Sequence, residues 1–355
     1  MKQIFSFLLS IITVMSFATV HTVSNNPATI AQFNTIQAAV NFSSSGDTIY
    51  VQGSPTAYDI VTITNKRLVV IGPGFGPDKN IPLTVSIPGF TINGSAGSSD
   101  FCELQGLIVF NFVANQGVNN LRLIRNQFQG NFNLGHSTAA NNFLMEGNYF
   151  QSNISANGSA TFTNFLFQNN MFYGVPCCTS GNISGFTNSV NVLFNHNIFI
   201  GPPGTFQIFN SNCRFLILTN NIFVNRNPAI NLSLSTFSNN ITFNCGSVGD
   251  TAWIRNSNVD GGGNIAAQDP QMFDQATINA GNGNPLIDFT IAAGPANNAG
   301  TDGKDMGLLF DASGSLNWAN GRNSRLPRIF KMNVVNPTVA VGGTITVTVE
   351  AKTSN

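Results

Sequence analysis

Charge is what this chain has least of. Only 30 of its 355 residues are charged, 15 basic and 15 acidic, so the net charge is zero. Nucleic-acid binding needs a basic footprint, and this balance argues against that partner. Histidine is scarce too: His21, His136 and His196 stand far apart, which argues against a His-based metal site. From Phe101 to Asn244 the only acidic residues are Glu103 and Glu146. Hydrolysis of a glycoside by two neighbouring carboxylates therefore lacks its pair. After the N-terminus no apolar run is long enough to span a bilayer. The five cysteines (Cys102, Cys177, Cys178, Cys213 and Cys245) are odd in number and lack the spacing of a metal knuckle. The plain reading is single buried thiols in strands, with Cys177 or Cys178 in a turn.

What the chain has instead is asparagine, 51 of them, with 34 Gly and 31 Phe. Asn and Gly oppose helix and favour turns, so the composition points to an all-β chain. At the start, Lys2, an apolar stretch from Ile4 to Met15 and the small residues of Ser16-Phe17-Ala18 read as an export signal cut near Ala18. This implies a secreted or cell-surface protein, or a periplasmic one.

A repeat then fixes the architecture. The segments LRLIRNQF (121–128), FLMEGNYF (143–150), FLFQNNMF (165–172), VLFNHNIF (192–199) and LILTNNIF (216–223) share one pattern, and STFSNNITF (235–243) is a weaker copy. Their common asparagines are Asn126, Asn148, Asn170, Asn197, Asn221 and Asn240, at spacings of 22, 22, 27, 24 and 19. Three residues before each stands a large apolar side chain, and two before it a mostly polar one. That period of two is strand with one face buried. A strand pair of this size cannot bury its apolar face alone, but stacked copies can. The expected fold is a right-handed parallel β-helix of about nine or ten coils. The repeated Asn points inward as a ladder, with the Phe two residues later stacked beside it. The residue before each Asn, His196 and Asn169 among them, is expected to face solvent. Gly106 takes the Asn place one coil earlier.

Phe33, Ile36, Ala39 and Val40 predict a short amphipathic helix over 33–42, covering the open edge of the first strand at 46–51. The expected division is signal 1–18, N-terminal cap 19–45, β-helix 46–265, irregular closing loops 266–325, and C-terminal strands or lid 326–355.

FNTIQAAVNFSSSGDTIYV with VTITNKRLVVIGPG closely resembles the opening of secreted right-handed β-helix proteins in the pectate-lyase-like superfamily. DPQMF, IAAGPANNAGTDGKDMGLL and LPRIFKMNVVNPTVAVGG resemble the closing region of a poorly characterised bacterial branch of it. The resemblance implies the fold; lyases, hydrolases, epimerases and proteins without known catalysis share it. A lyase needs a base and a neutraliser of the uronate. Arg122 and Arg125 are the best basic pair, with Glu103 and Glu146 as neighbours that could hold Ca2+. Asp302 and Asp305 form a second candidate Ca2+ loop, although Asp beside Gly is first a turn signal; otherwise no cofactor is implied. The leading expectation is non-catalytic: a polar face of Asn, Gln, Ser and Thr binding a polysaccharide, with Tyr149 or Tyr173 stacking on a sugar ring, or a purely structural role. The alternative is a carbohydrate-active enzyme, of the lyase type, acting on an acidic glycan.

Overall fold

The computed structural model describes residues 18–76, 83–95, 98–174, 183–204, 206–210, 212–310, 318, 327–334, 342–344 and 346–353. The expected signal before Ala18, Cys177 and Cys178 fall outside them.

Apolar residues at period two, broken by Asn and Gly, give many short strands, and these assemble into two 12-stranded sheets. Along the first sheet, Val20–Val23, Thr48–Val51, Val69–Ile71, Glu103–Gln105, Arg122–Ile124 and Leu144–Glu146 lie side by side. Thr161–Gln168, Asn188–Asn195, Leu216–Thr219, Thr236–Ser238 and Val259–Asp260 continue it. In the second sheet Gln127–Phe128, Tyr149–Phe150, Met171–Tyr173, Ile198–Ile200, Ile222–Val224 and Ile241–Phe243 stack in the same order. Every pairing within these sheets is parallel, and from Thr48–Val51 to Thr236–Ser238 the strands just named in the first sheet each lead into a strand of the second. The chain is thus mostly β, with long parallel sheets consistent with a solenoid. The strand expected first, at 46–51, is preceded by Val20–Val23, which pairs with Thr48–Val51.

The core lies between the sheets. Phe128, Phe150, Phe172, Phe199 and Phe223 form one column, stacked nearly parallel with centroids 5.2, 5.0, 4.5 and 4.8 Å apart. Phe167 and Phe194 stack at 4.3 Å in a second column. Offset stacks of this kind add about 0.5–1.5 kcal/mol per pair beyond burial.

The turn between the sheets repeats one backbone conformation. Arg125, Gly147, Asn169, His196, Asn220 and Asn239 all have φ between 52 and 66°. Asn and Gly enter this left-handed region most easily, which accounts for much of their abundance. The next residue is the repeated Asn, fully buried in each copy. Asn170 Nδ2 donates to Asn197 Oδ1 at 3.0 Å and to the Met145 carbonyl at 2.8 Å, and Asn170 N donates to the same Oδ1 at 2.9 Å. The same three bonds link Asn126 to Asn148, Asn148 to Asn170, Asn197 to Asn221 and Asn221 to Asn240. Asn264 accepts from Asn240 and extends the stack. Each amide thereby satisfies a buried backbone group at the bend. One coil earlier the register differs from expectation. Gly106 (φ 64°) holds the left-handed position, and Leu107 stands in the Asn place, its N–H donating to Asn126 Oδ1 at 3.0 Å.

The helix spans Ile36–Phe42, shorter than expected, because the Thr35 side chain accepts from Ala38 N and caps it there. Phe33 lies outside it, in a bridge to Val23. At the other end Pro327–Val334 and Val347–Thr353 form an antiparallel hairpin. Cys102, Cys213 and Cys245 are buried free thiols, which burial pushes up to about 11, 12 and 12. They behave as small apolar core residues rather than nucleophiles.

Candidate functional site

Four outer surfaces carry the candidate residues, and the structure treats them differently. The first is the outside of the second sheet. Its outward positions are apolar (Tyr149, Met171, Ile198, Ile222, Ile241), and Met272, Ile278, Phe289, Ile291, Met306 and Leu308 pack onto them. The closing region is therefore a strap over this face. Tyr149 is 1 % exposed and its hydroxyl donates to the Gly283 carbonyl. Tyr173 Oη donates to the Gly281 carbonyl at 3.1 Å, and its ring lies against Gly283. Tyr149 is closed to a sugar, contrary to expectation, because the strap fills the space a ligand would need, and Tyr173 is half-buried against the strap.

The second surface is the left-handed turn column. Expected to face water, it is instead the strap's anchor. Asn169 is 1 % exposed; its Oδ1 accepts from Leu309 N at 2.7 Å. Asn220 Oδ1 accepts from Thr301 N at 2.8 Å, and Asn239 Nδ2 donates to the Ala299 carbonyl at 2.8 Å. His196 is likewise 1 % exposed, with Nε2 3.3 Å from Asp302 Oδ2. Burial lowers its pKa, and Asp302 only partly opposes that. The carboxylate of Asp302 is thus engaged with His196, and Asp305 Oδ1 accepts from Asn298 N at 2.8 Å. Among the described residues no three His, Cys, Asp or Glu side chains gather as a metal would require.

On the outside of the first sheet, register sets Glu103 beside Arg122 on the adjacent strand. Arg122 Nε lies 3.4 Å from Glu103 Oε2, and Gln105 Nε2 donates to Glu103 Oε1. The Glu103 carboxylate is nearly buried while the arginine is 41 % exposed. Arg125 projects from the turn rather than the strand and is 7 % exposed; its N–H donates to the Glu146 carbonyl at 2.9 Å. The two arginines therefore do not share one open face. Further along, Glu146, Gln168, Asn195, Thr219 and Ser238 stand in register. A parallel row of Leu144, Leu166, Leu193 and Ile217 lies beside them, so the face is mixed rather than wholly polar.

The fourth surface was missed in the sequence. A second left-handed residue recurs along the first sheet, at Phe101, Asn120, Asn142, Asn164, Asn191, Phe215 and Leu234, with φ between 52 and 63°; at Asn164 and Asn191 it lies within the strand and elsewhere just before one. Here the side chains point outward. Asn142 Nδ2 donates to Asn120 Oδ1 at 3.0 Å, Asn164 to Asn142 at 3.1 Å and Asn191 to Asn164 at 2.8 Å. Asp100 Oδ2 receives Asn120 Nδ2 at 3.3 Å and begins the row. Phe101 and Phe215 flank the amides and are 53 and 48 % exposed. Arg67 covers one side of Phe101, 5.4 Å from its centroid. The signal was present in the sequence: an Asn stands six residues before Asn126, Asn148, Asn170 and Asn197.

Each carboxamide has two N–H donors and two acceptor lone pairs. The ladder uses one N–H per residue and leaves the rest toward solvent, at the strand spacing of about 4.8 Å. The left-handed turn by itself explains Asn here. It does not explain Phe101, Phe215 and Leu234, whose bulk makes that conformation costly by about 1–2 kcal/mol each. Among the described residues, no helix is long and apolar enough to cross a membrane. In comparison with known proteins, the chain matches no family model and no curated protein.

Proposed function

We propose that this chain is an exported right-handed parallel β-helix of nine or ten coils, capped by the helix Ile36–Phe42, that binds a glycan without cleaving it. The observation that carries this reading is the exposed amide row from Asn120 to Asn191, with Phe215 at its end. An array of neutral donors and acceptors at fixed spacing suits sugar hydroxyls, and an exposed ring at the same level suits the apolar face of a sugar. The pairing of Glu103 with Arg122, and the strap over Tyr149 and Tyr173, support this face over the alternatives.

The test is a glycan array with the mature protein, followed by titration of any hit. Phe215→Asn is expected to weaken binding about three- to tenfold, the worth of one ring contact. The same change should stabilise the fold by about 1 kcal/mol, since Asn fits the left-handed turn. Absence of binding to every glycan at high micromolar protein would refute the reading. So would unsaturated products, seen by ultraviolet absorbance, after incubation with pectin, alginate or glycosaminoglycans with and without Ca2+.

A further inference from the structure

Asp47 is a carboxylate held 6 % exposed at the N-terminal end of the first sheet. Its Oδ2 accepts from Ser44 N at 2.8 Å and lies 3.2 Å from His21 Nε2; its Oδ1 accepts from Thr19 N at 2.8 Å. Among the described residues His21 is the only side chain within ion-pair distance. The nearby cations are otherwise occupied or turned away. Lys66 Nζ donates to the carbonyls of Val40, Asn41 and Ser43, and the Arg67 guanidinium lies over Phe101. Burial disfavours this carboxylate, but the N–H groups of Thr19 and Ser44, together with His21, outweigh that and hold its pKa below the ordinary value, so the group is ionised and its contact at Oδ1 suits a cation.

The atom that contacts Asp47 Oδ1 is the nitrogen of the residue that follows the expected cut. We propose that the mature chain begins at Thr19 and that its new α-ammonium group is the counter-ion of the buried Asp47 carboxylate. The inference rests on the export reading above. The step is ordinary hydrolysis by a signal peptidase: water adds, the C–N bond between Ala18 and Thr19 breaks, Ala18 leaves as a carboxylate and Thr19 keeps the protonated amine. No movement is needed to form the pair. Thr48 N donates to the Thr19 carbonyl at 2.9 Å, and Val20 is in register with Thr48, so the sheet itself positions the nitrogen. A distance of 2.8 Å already suits a charge-assisted bond. Processing thereby converts an amide contact into an ion pair, and the uncut chain lacks it.

Three purified chains test this: one starting at Thr19, the same chain N-acetylated on Thr19, and one starting at Ala18. Acetylation keeps an N–H donor and removes only the charge. The Thr19 chain is expected to have a folding equilibrium at least about tenfold more favourable than either other chain, with its α-amine titrating at least about one unit above the ordinary 7.7–8.0. In an Asp47→Asn background acetylation should make no difference. An equal effect of acetylation with and without Asp47 would overturn the proposal. Should Asp47→Asn fail to fold, the α-amine titration in the unaltered chain decides, and an ordinary value overturns it. His21, the one titratable side chain in contact among the described residues, is followed in the same titration so that its proton is not mistaken for the amine's. N-terminal sequencing of exported protein should read Thr-Val-His, and another start overturns the processing step. A chain retained uncut in the cell would refute the export reading, a result separate from the coupling measured in the purified Thr19 chain.

Discussion

Asn170→Leu separates polarity from shape, because the two side chains have the same branching and nearly the same size. Asn170 lies in the middle of the buried ladder. Its Oδ1 accepts from Asn148 N at 2.8 Å and from Asn148 Nδ2 at 3.1 Å, and its Nδ2 donates to the Met145 carbonyl at 2.8 Å. After substitution the Asn148 N–H and the Met145 carbonyl lose these partners, while Asn148 Nδ2 keeps the Leu123 carbonyl at 2.8 Å and Asn170 N keeps Asn197 Oδ1. The Met145 carbonyl keeps its place in the ladder between Leu144–Glu146 and Thr161–Gln168, so the one stranded group is the Asn148 N–H, and the expected loss is about 1–3 kcal/mol. The control is Asn164→Leu, in the exposed row of the same coil. Its ladder bonds to Asn142 and Asn191 are exchanged for water, so the change is limited to about 1 kcal/mol from the left-handed turn. Urea midpoints of the two variants, at matched slope, make the comparison. Equal midpoint shifts would refute the assignment of an inner and an outer asparagine row, and with it the register of every face described above.

Three further outcomes follow from the same geometry. Asn169→Leu removes the partner of the Leu309 amide, so hydrogen exchange near Leu309 should rise while exchange at the sheet amides stays slow; uniform acceleration would show that the strap is not a separate unit. Gly174→Ala sets a methyl within 0.9 Å of the buried Arg226 guanidinium and should destabilise by about 1–3 kcal/mol, whereas Gly262→Ala, which meets nothing within 4 Å, tests left-handed strain alone. Burial lowers the pKa of His136 and His196 below the ordinary 6.5, so their contribution is intact above pH 6.5 and is lost as pH falls from there toward the folded values. A flat urea midpoint between pH 7 and pH 5 in the unaltered protein, with the same profile in His136→Gln, would contradict it.

The inner architecture was legible in the sequence because one face of each strand must be apolar. An Asn recurring three residues after a large apolar side chain, where an amide must find partners, leaves inward stacking as the economical solution. The 3.6-residue period also located the helix Ile36–Phe42, but set its start at 33, because a period does not reveal the cap at Thr35. What failed was the outside. Met171-Phe172, Ile198-Phe199 and Ile222-Phe223 are apolar at both successive positions, so period two breaks just after the ladder Asn, and a strand buried on both faces is the reading that break supports. Without a known cover, Tyr149 and Tyr173 looked like open rings.

The sequence by itself determined the strands, the turn conformation and the buried amide column, because each depends on contacts between neighbouring copies of one pattern. Only the tertiary structure decided which outer face stays open. The strap returns from residues 272–309 to strands more than a hundred positions earlier, as in the bond from Leu309 to Asn169, and no local period encodes so distant a contact. The same holds for His196, which looks like a solvent-facing turn residue until Asp302 closes over it. Asn169 and Asn164 are alike in composition and backbone angle. One is covered by the strap and the other is open to water, and packing alone separates them.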